Sequence, residues 1–552
     1  MFLNLRSRRF VFVLHLFFAI VLLNSQSSAS DSSDHAHNGS ARAGIFSGQL
    51  SVNPSNIVFH GVPVGQNDQQ TITLTNSGHA TVAIHSVTVS GNAFRLQGTV
   101  PKMLAAGEHA LVTVVFSPMG EGNFQGAVTI ASDSPDSPRQ LLLIGNDPNS
   151  IPQDFFGLQM NSGVVGEQPW PVASFSGTRL WDSNTHWEDV NTHDGYYNWE
   201  ILDKWLAHAQ RYNVDVLYTF GDVPTWASSN PNDHSCAGGP GSCDPPNDLN
   251  PDGSGSNQHW KDYVSAIVTH SQNSSTAHIT YWELWNEPYH PLAWKGTIAQ
   301  LIRMASDARD IIKAVDPSAV LLTPPAVFCD QGTAWLHNYL AAGGAQYADL
   351  IAFHGYVQHP PATPVPEDLV TWVDTIKNIL AQYGLQDRTL WDTEASWGYT
   401  KPTGFTDADM QAAFVTRFYL LHWSVGVPRF YWYQWNAGNT VGTLWVPNGG
   451  SGTVLKPGIA YQQVYDWMVG ATLSAPCSAS GWVWTCQFTR PNGYQALAVW
   501  DASESCHKGI CGTKPYAYDS IYTQYKDVAG HTNYLKGSTV PIGAQPILLE
   551  NQ

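Results

Sequence analysis

Tyr281-Trp-Glu-Leu-Trp-Asn-Glu-Pro288 begins as an apolar strand and ends in two polar side chains, Asn286 and Glu287, followed by a proline that stops strand pairing. The apolar run extends back to Ile279, and after the proline a stretch with helical apolar spacing runs from Thr297 to Val315. A strand that ends in polar groups and passes into a helix is one β/α unit. In a barrel of such units the chemistry collects at the C-terminal ends of the strands.

Working outward, seven further apolar segments have the length and composition of buried strands: Phe155 to Met160, Gly177 to Trp181, Val214 to Phe220, Ala319 to Leu322, Leu350 to His354, Thr389 to Asp392 and Arg429 to Trp435. Amphipathic stretches separate them, among them Trp199 to Tyr212, Leu369 to Tyr383 and Asp407 to Val425. Eight units between residues 151 and 470 predict a (β/α)8 TIM barrel. The seventh strand runs into Leu390-Trp-Asp-Thr-Glu394, so Glu394 is expected in the same mouth as Glu287.

Two carboxyl groups facing one cleft suit the cleavage of a glycosidic bond, in which one protonates the leaving oxygen and the other, ionised, meets the positive sugar carbon. At about 5 Å and an effective dielectric near 20 their charges interact by roughly 3 kcal/mol, about two pKa units. One then stays protonated near neutrality, but spacing alone leaves open which. The competing reading is a structural ion pair at the barrel rim. Glu283, two alternations back from Glu287, is expected deeper in the barrel, paired with Arg179 or another cation. Asp392, one alternation before Glu394, is expected to support the reacting groups without meeting the sugar itself. Asp182 either binds sugar or caps its loop.

The flanks read differently. Residues 45–150 carry short alternating strands such as Gln70-Thr-Ile-Thr-Leu-Thr75 and Ala110-Leu-Val-Thr-Val-Val-Phe116, separated by turn clusters, which predicts an immunoglobulin-like β-sandwich. Residues 471–552 return to strands, Gln495-Ala-Leu-Ala-Val-Trp500 among them, and predict a small C-terminal β domain. Arg6, Arg8 and Arg9 followed by the apolar run Phe10 to Leu23 and small residues predict an export signal over residues 1–29, cleaved after Ala29. Residues 30–44, which include His35 and His37, read as a flexible linker.

Export places the seven cysteines in an oxidising compartment, extracellular or periplasmic. Close spacing pairs Cys236 with Cys243, Cys477 with Cys486 and Cys506 with Cys511, leaving Cys329 as a buried small hydrophobe. No membrane insertion is expected once the signal is removed. With 44 acidic against 26 basic residues the net charge is −18, which repels phosphate backbones and excludes nucleic acid as a partner. The 22 tryptophans are unusual; such rings fill cores or stack on flat ligands, sugar faces included. Asp248-Leu-Asn-Pro-Asp-Gly253 copies the opening of a calcium loop, but His259 stands where the bidentate glutamate belongs, so no metal is expected.

Trp285-Asn-Glu-Pro288 ending strand four, with Thr393-Glu394 on strand seven, resembles the clan A retaining glycoside hydrolases. Gly177-Thr-Arg-Leu-Trp181, Tyr197-Asn-Trp199, Pro224-Thr-Trp226 and Phe353-His-Gly-Tyr356 are most similar to family 39, with family 5 close. The resemblance implies Glu287 as acid/base, Glu394 as nucleophile and Asn286 on a sugar hydroxyl. It implies Arg179, His354 and Tyr356 around the cleavage point, and Trp432 or Trp435 as the floor of that subsite. Leu50-Ser-Val-Asn-Pro54, Thr73-Leu-Thr-Asn-Ser-Gly78 and Val115-Phe-Ser-Pro118 resemble the ASPM/SPD-2/Hydin-type immunoglobulin-like domains, which implies a spacer or adhesion module. The expected activity is retaining hydrolysis of a β-linked, xyloside-like or glucoside-like, oligosaccharide or polysaccharide, with no cofactor. The rival is a non-catalytic carbohydrate-binding or cell-surface adhesion protein on a degenerate barrel.

Overall fold

The computed structural model describes residues 48–357, 361–438, 441–448 and 452–552. The expected signal (1–29) and linker (30–44) lie outside the described residues. Among the described residues no helix is long and apolar enough to cross a membrane.

Eight parallel strands form the barrel: Phe156–Gln159, Gly177–Leu180, Asp215–Thr219, Tyr281–Glu283, Val320–Leu322, Ile351–His354, Leu390–Ala395 and Phe430–Trp432. The first pairs with the eighth through Leu158 and Trp432. The fifth meets the sixth through a bridge between Leu322 and Leu350 and through the short strand Ala326–Val327. The barrel is therefore closed. Strand four is shorter than its apolar run, because the backbone leaves the ladder after Glu283 and turns through positive φ at Trp285 (123°) and Glu287 (41°). Such values are strained for non-glycine residues and are held only where surrounding contacts compel them.

Helices Glu200–Tyr212, Gln258–Asn273, Ile298–Val315, Asp330–Ala341, Asp368–Gln382, Ala408–Ser424 and Lys456–Met468 follow strands two to eight, and a 3-10 turn, Ser162–Val165, follows the first. Their starts are chemically marked. Thr297 forms a reciprocal capping box with Gln300, and the Asp407 carboxylate accepts the amides of Asp409 and Met410. The inner face of the barrel floor is small and apolar, built from Leu217, Leu322, Ala352, Trp391 and Tyr431. Below it Arg429 lies 4.9–5.2 Å from the ring centroids of Tyr281, Trp391 and Tyr431 and pairs with Asp215.

Of the 22 tryptophans sixteen are buried, five half-buried and one, Trp482, exposed at 67%, so the aromatic surplus is mainly core between strands and helices. Cys329 departs from expectation. It is exposed, because it caps the helix Asp330–Ala341, its sulfur accepting the Gly332 amide. The other six cysteines form the bridges 236–243, 477–486 and 506–511.

A two-sheet sandwich precedes the barrel. Strands Leu50–Asn53, Asp68–Asn76, His109–Phe116 and Phe94–Gln97 form one sheet, and Asn56–Phe59, Arg139–Gly145, Phe124–Ser132, Val82–Ser90 and Met103–Leu104 the other. Val58 and Ile144, neighbours on the second sheet, turn away from the sandwich core and into the barrel's. Around them Gln153 accepts the Val58 amide at 2.9 Å, and the Ser55 hydroxyl donates to Asp466 at 2.6 Å. With the Asn53 side-chain amide donating to the Ala173 carbonyl, these contacts fall near the N-terminal ends of strands one and two and the C-terminal end of the last helix, so the sandwich sits under the barrel, away from the mouth. The C-terminal sheet packs its Phe488, Ala496, Ala498 and Trp500 face on the barrel helices and its other face on a small core around Val499, Ile547 and Leu549.

Candidate active site

Arg179 projects from strand two into the barrel axis and is wholly buried. Its guanidinium holds four groups at once: Glu283 (Nε, 2.8 Å), Glu394 (Nη1, 2.7 Å), Asn286 (Nη2, 2.7 Å) and, more loosely, Gln159 (Nη1, 3.4 Å). Glu283 also accepts the hydroxyl of Thr219 on the oxygen that meets Nε (2.8 Å) and that of Thr393 on the other (2.6 Å). The pairing of Arg179 with Glu283 is the one the strand alternation suggested, and it fixes the cation from below so that its outer edge faces Glu394 and Asn286.

Two side chains from strand six complete the cluster. The Tyr356 hydroxyl donates to Glu394 at 2.9 Å, and His354 Nδ1 lies 2.8 Å from Glu287 Oε1. One carboxylate oxygen each from Glu287 and Glu394 and one nitrogen of His354 lie within 4.8 Å of one another. The structure thus brings Arg179, Asn286, Glu287, His354, Tyr356 and Glu394 into one constellation at the C-terminal ends of strands two, four, six and seven.

Burial and charge give the carboxyls different proton affinities. Burial pushes Glu394 above its ordinary 4.5, with the Glu287 and Asp182 charges adding to it and those of His354 and Arg179 pulling back. Burial acts the same way on Glu287. There the His354 hydrogen bond and charge, with His290 and Arg179, outweigh it and hold the carboxyl below 4.5. For His354 burial disfavours the charged ring, but Glu394 and Glu287 raise it above 6.5. His354 and Glu287 share a 2.8 Å hydrogen bond, along which the raised proton affinity of the ring and the lowered one of the carboxyl both favour the proton on His354.

Trp432, one of the two tryptophans expected as the floor, does not join this cluster. Trp432 faces outward into the strand–helix layer, its indole N–H donating to the Gly442 carbonyl at 2.7 Å, and Trp435 is 1% exposed. The reason is alternation: Tyr431 faces the barrel axis, so Trp432 faces away and Tyr433 returns to the mouth. The half-buried Tyr433 donates to Asp182 at 2.6 Å, and the Asp182 and Glu394 charges join burial in raising its hydroxyl well above the ordinary range. Asp182 also accepts from Gln434 at 2.7 Å. In a run as uniformly aromatic as Phe430 to Trp435 nothing in the sequence marks the inward frame. Trp181 was legible in principle, since it stands one alternation beyond Arg179; its ring lies 5.9 Å from the guanidinium carbon and 4.3 Å from the His186 ring.

Asp392 supports the site from behind, its Oδ1 accepting the Gly355 and Glu394 amides. It faces the helix Ala408–Ser424 instead of the mouth, because the pairing of strands seven and eight shifts between Asp392 and Ala395. In the segment after strand three, Gly238 packs against the Asp222 carboxylate, where a Cβ would stand 2.4 Å away.

Two groups have ligand-like spacing among the described residues. In one, Asp233, Cys236, Cys243 and Asp244, both sulfurs are spent in a disulfide. In the other, Glu287, His354 and Glu394, the Arg179 guanidinium aimed at Glu394 opposes a cation. In the loop from Asp248 the carboxylates turn back on their own backbone, Asp248 accepting the His259 amide and Asp252 that of Ser254.

Residues 48–146 match the family described as HYDIN/CFA65/VesB-like, Ig-like domain. No curated protein matches the chain in sequence. Solved structures similar to it include a monomeric beta-xylosidase from Caulobacter crescentus, 15% identical, with 72% of this chain and 96% of that one covered and a TM-score of 0.51. Another is the GH39 enzyme from Xanthomonas axonopodis pv. citri, 14% identical, with 73% and 94% covered and a TM-score of 0.51. At this identity the likeness shows the fold, a TIM barrel joined to a β domain.

Proposed function

We propose that the chain is an exported glycoside hydrolase of clan A, cleaving β-linked oligosaccharide or polysaccharide with retention of configuration. The observation that carries this reading is the carboxyl pair, Glu287 and Glu394, with oxygens within 4.8 Å at the catalytic end of a barrel. Retaining enzymes need such closeness, about 5 to 5.5 Å between carboxyl groups, because the nucleophile itself must reach the sugar carbon with no water between.

Glu394, ionised and held by Arg179 and Tyr356, attacks the anomeric carbon as the bond to the leaving oxygen breaks. That oxygen takes the proton of Glu287, which Glu287 has received from His354 along their hydrogen bond. Glu287 then draws a proton from water, whose oxygen displaces Glu394 and completes the cycle. Asn286, fixed by Arg179, is placed for a sugar hydroxyl. The similarity to a beta-xylosidase favours xyloside-like substrates. Three disulfides favour an oxidising compartment, extracellular or periplasmic.

A panel of aryl β-glycosides with Glu287→Gln and Glu394→Gln controls tests the assignment. Glu394→Gln is expected to abolish turnover and labelling by a 2-deoxy-2-fluoro glycoside. Glu287→Gln is expected to lose about 10²–10⁴-fold on poor leaving groups and far less on activated ones. A wild type inactive on every sugar would leave the non-catalytic carbohydrate-binding protein as the better account.

A further inference from the structure

Behind strand seven lies a buried pair that takes no part in the chemistry above. Asp392 and His422 are both shut off from solvent, with His422 Nε2 2.7 Å from Asp392 Oδ2. The other ring nitrogen, Nδ1, lies 2.7 Å from the Phe418 carbonyl. Phe430 stacks on the ring at 4.0 Å and Phe418 meets it edge-on at 4.4 Å. The imidazole is thus fixed in place and orientation, and through it the carboxylate.

Asp392 Oδ1 accepts two backbone amides, that of Gly355 at 3.1 Å and that of Glu394 itself at 3.2 Å. Gly355 stands between His354, which bonds Glu287, and Tyr356, which bonds Glu394. A Cβ on Gly355 would lie 2.1 Å from Asp392 Oδ2, so only glycine lets strand six approach this closely. The shifted pairing after Asp392 turns this carboxylate outward to His422 while Thr393 and Glu394 both reach the barrel interior. Irregularities of this kind re-aim side chains.

We propose that Asp392, oriented by His422, is a positioning residue that locks the backbone of Glu394 to that of His354–Tyr356, and so sets the nucleophile against its two hydrogen-bonding neighbours. The proposal rests on Glu394 being the nucleophile. Asp392→Asn retains an oxygen for both amides, with the neutral imidazole accepting from the new amide group. Asp392→Leu removes the acceptor at similar volume, and Asp392→Ala does so without bulk should the leucine variant fail to fold.

The experiment compares kcat and KM on an aryl glycoside with hydrogen exchange of peptides spanning 351–357 and 390–395, in the full chain well below its melting temperature. Asp392→Leu is expected to lower kcat about a hundredfold, with KM changed less than about threefold, since misplacement of a reacting group by an ångström costs on that order. Asp392→Asn is expected to keep kcat within about threefold of the wild type, and both peptides should exchange at least tenfold faster in the leucine variant than in the asparagine one. Unchanged exchange in Asp392→Leu, kcat retained in it, or an asparagine variant as impaired as the leucine one would each overturn the proposal. A wild type without glycosidase activity would instead remove the hydrolase reading, and the exchange rates would still decide whether the lock exists.

Discussion

Val58 and Ile144 stand side by side on the outer face of the sandwich, 3% and 1% exposed, with the barrel as their cover. Burying an aliphatic side chain of this size contributes about 1.5–3 kcal/mol, so the pair supplies roughly 4 kcal/mol of docking. The double variant Val58→Asp/Ile144→Asp removes that contribution and sets two carboxylates against an apolar surface, while the sandwich core, which uses neither residue, is spared. At about 2.1 cal/mol/K per residue, the roughly 400 residues that follow the sandwich unfold with an entropy near 0.85 kcal/mol/K, which converts the loss into a fall in Tm of about 5 °C. Differential scanning calorimetry is the assay. The wild type is expected to melt in one transition and the variant in two, a sandwich transition and a barrel transition displaced downward by that amount. Two separated transitions in the wild type, or a variant whose thermogram superimposes on it, would refute the docking argument and restore a spacer.

The pH dependence of kcat/KM should be bell-shaped. Its acidic limb lies above 4.5, where Glu394 must lose its proton, and its alkaline limb above 6.5, where the proton shared by His354 and Glu287 is lost. A stopped assay in constant-ionic-strength buffers checks both limbs, and an alkaline limb below 6.5 would contradict the proton's resting place. His186 is raised to about 9, its burial being outweighed by Asp222, Asp189 and Asp182. A group whose folded pKa is raised stabilises fully below its unfolded value and loses that contribution as pH climbs through the folded one. The Tm deficit of His186→Gln should therefore be largest at pH 6, shrink towards pH 9 and vanish above it; a deficit constant over that range would show that packing, not charge, is what His186 supplies.

The fold and the convergence of Glu287 with Glu394 were legible for a common reason: both rest on local patterns that tertiary contacts reinforce. Apolar runs of strand length alternating with helical spacing admit few arrangements. Where such runs end in Asn286-Glu287 and Glu394, barrel geometry brings the ends together whatever the loops do. Arg179 and Glu283 were readable as partners because strand alternation counts depth from the mouth. Alternation failed at strands seven and eight. A shifted register placed Asp392 behind the sheet, and of the adjacent aromatics Trp432 and Tyr433 the one that faces the mouth proved to be Tyr433. Cys329 was misread for a similar reason, since capping a helix depends on where that helix begins.

By itself the amino-acid sequence determined the periodicities, and with them the number of strands and helices, the closure into a barrel, the flanking β domains and the carboxylates that strand ends would carry. Only the tertiary structure decided which way each side chain faces after a break in the pairing, which carboxyl is hydrogen-bonded to His354, and that the sandwich is docked beneath the barrel. Periodicity is a property of neighbours along the chain. Register, proton affinity and domain contact depend on groups tens to hundreds of residues apart, whose distances exist only once the chain has folded.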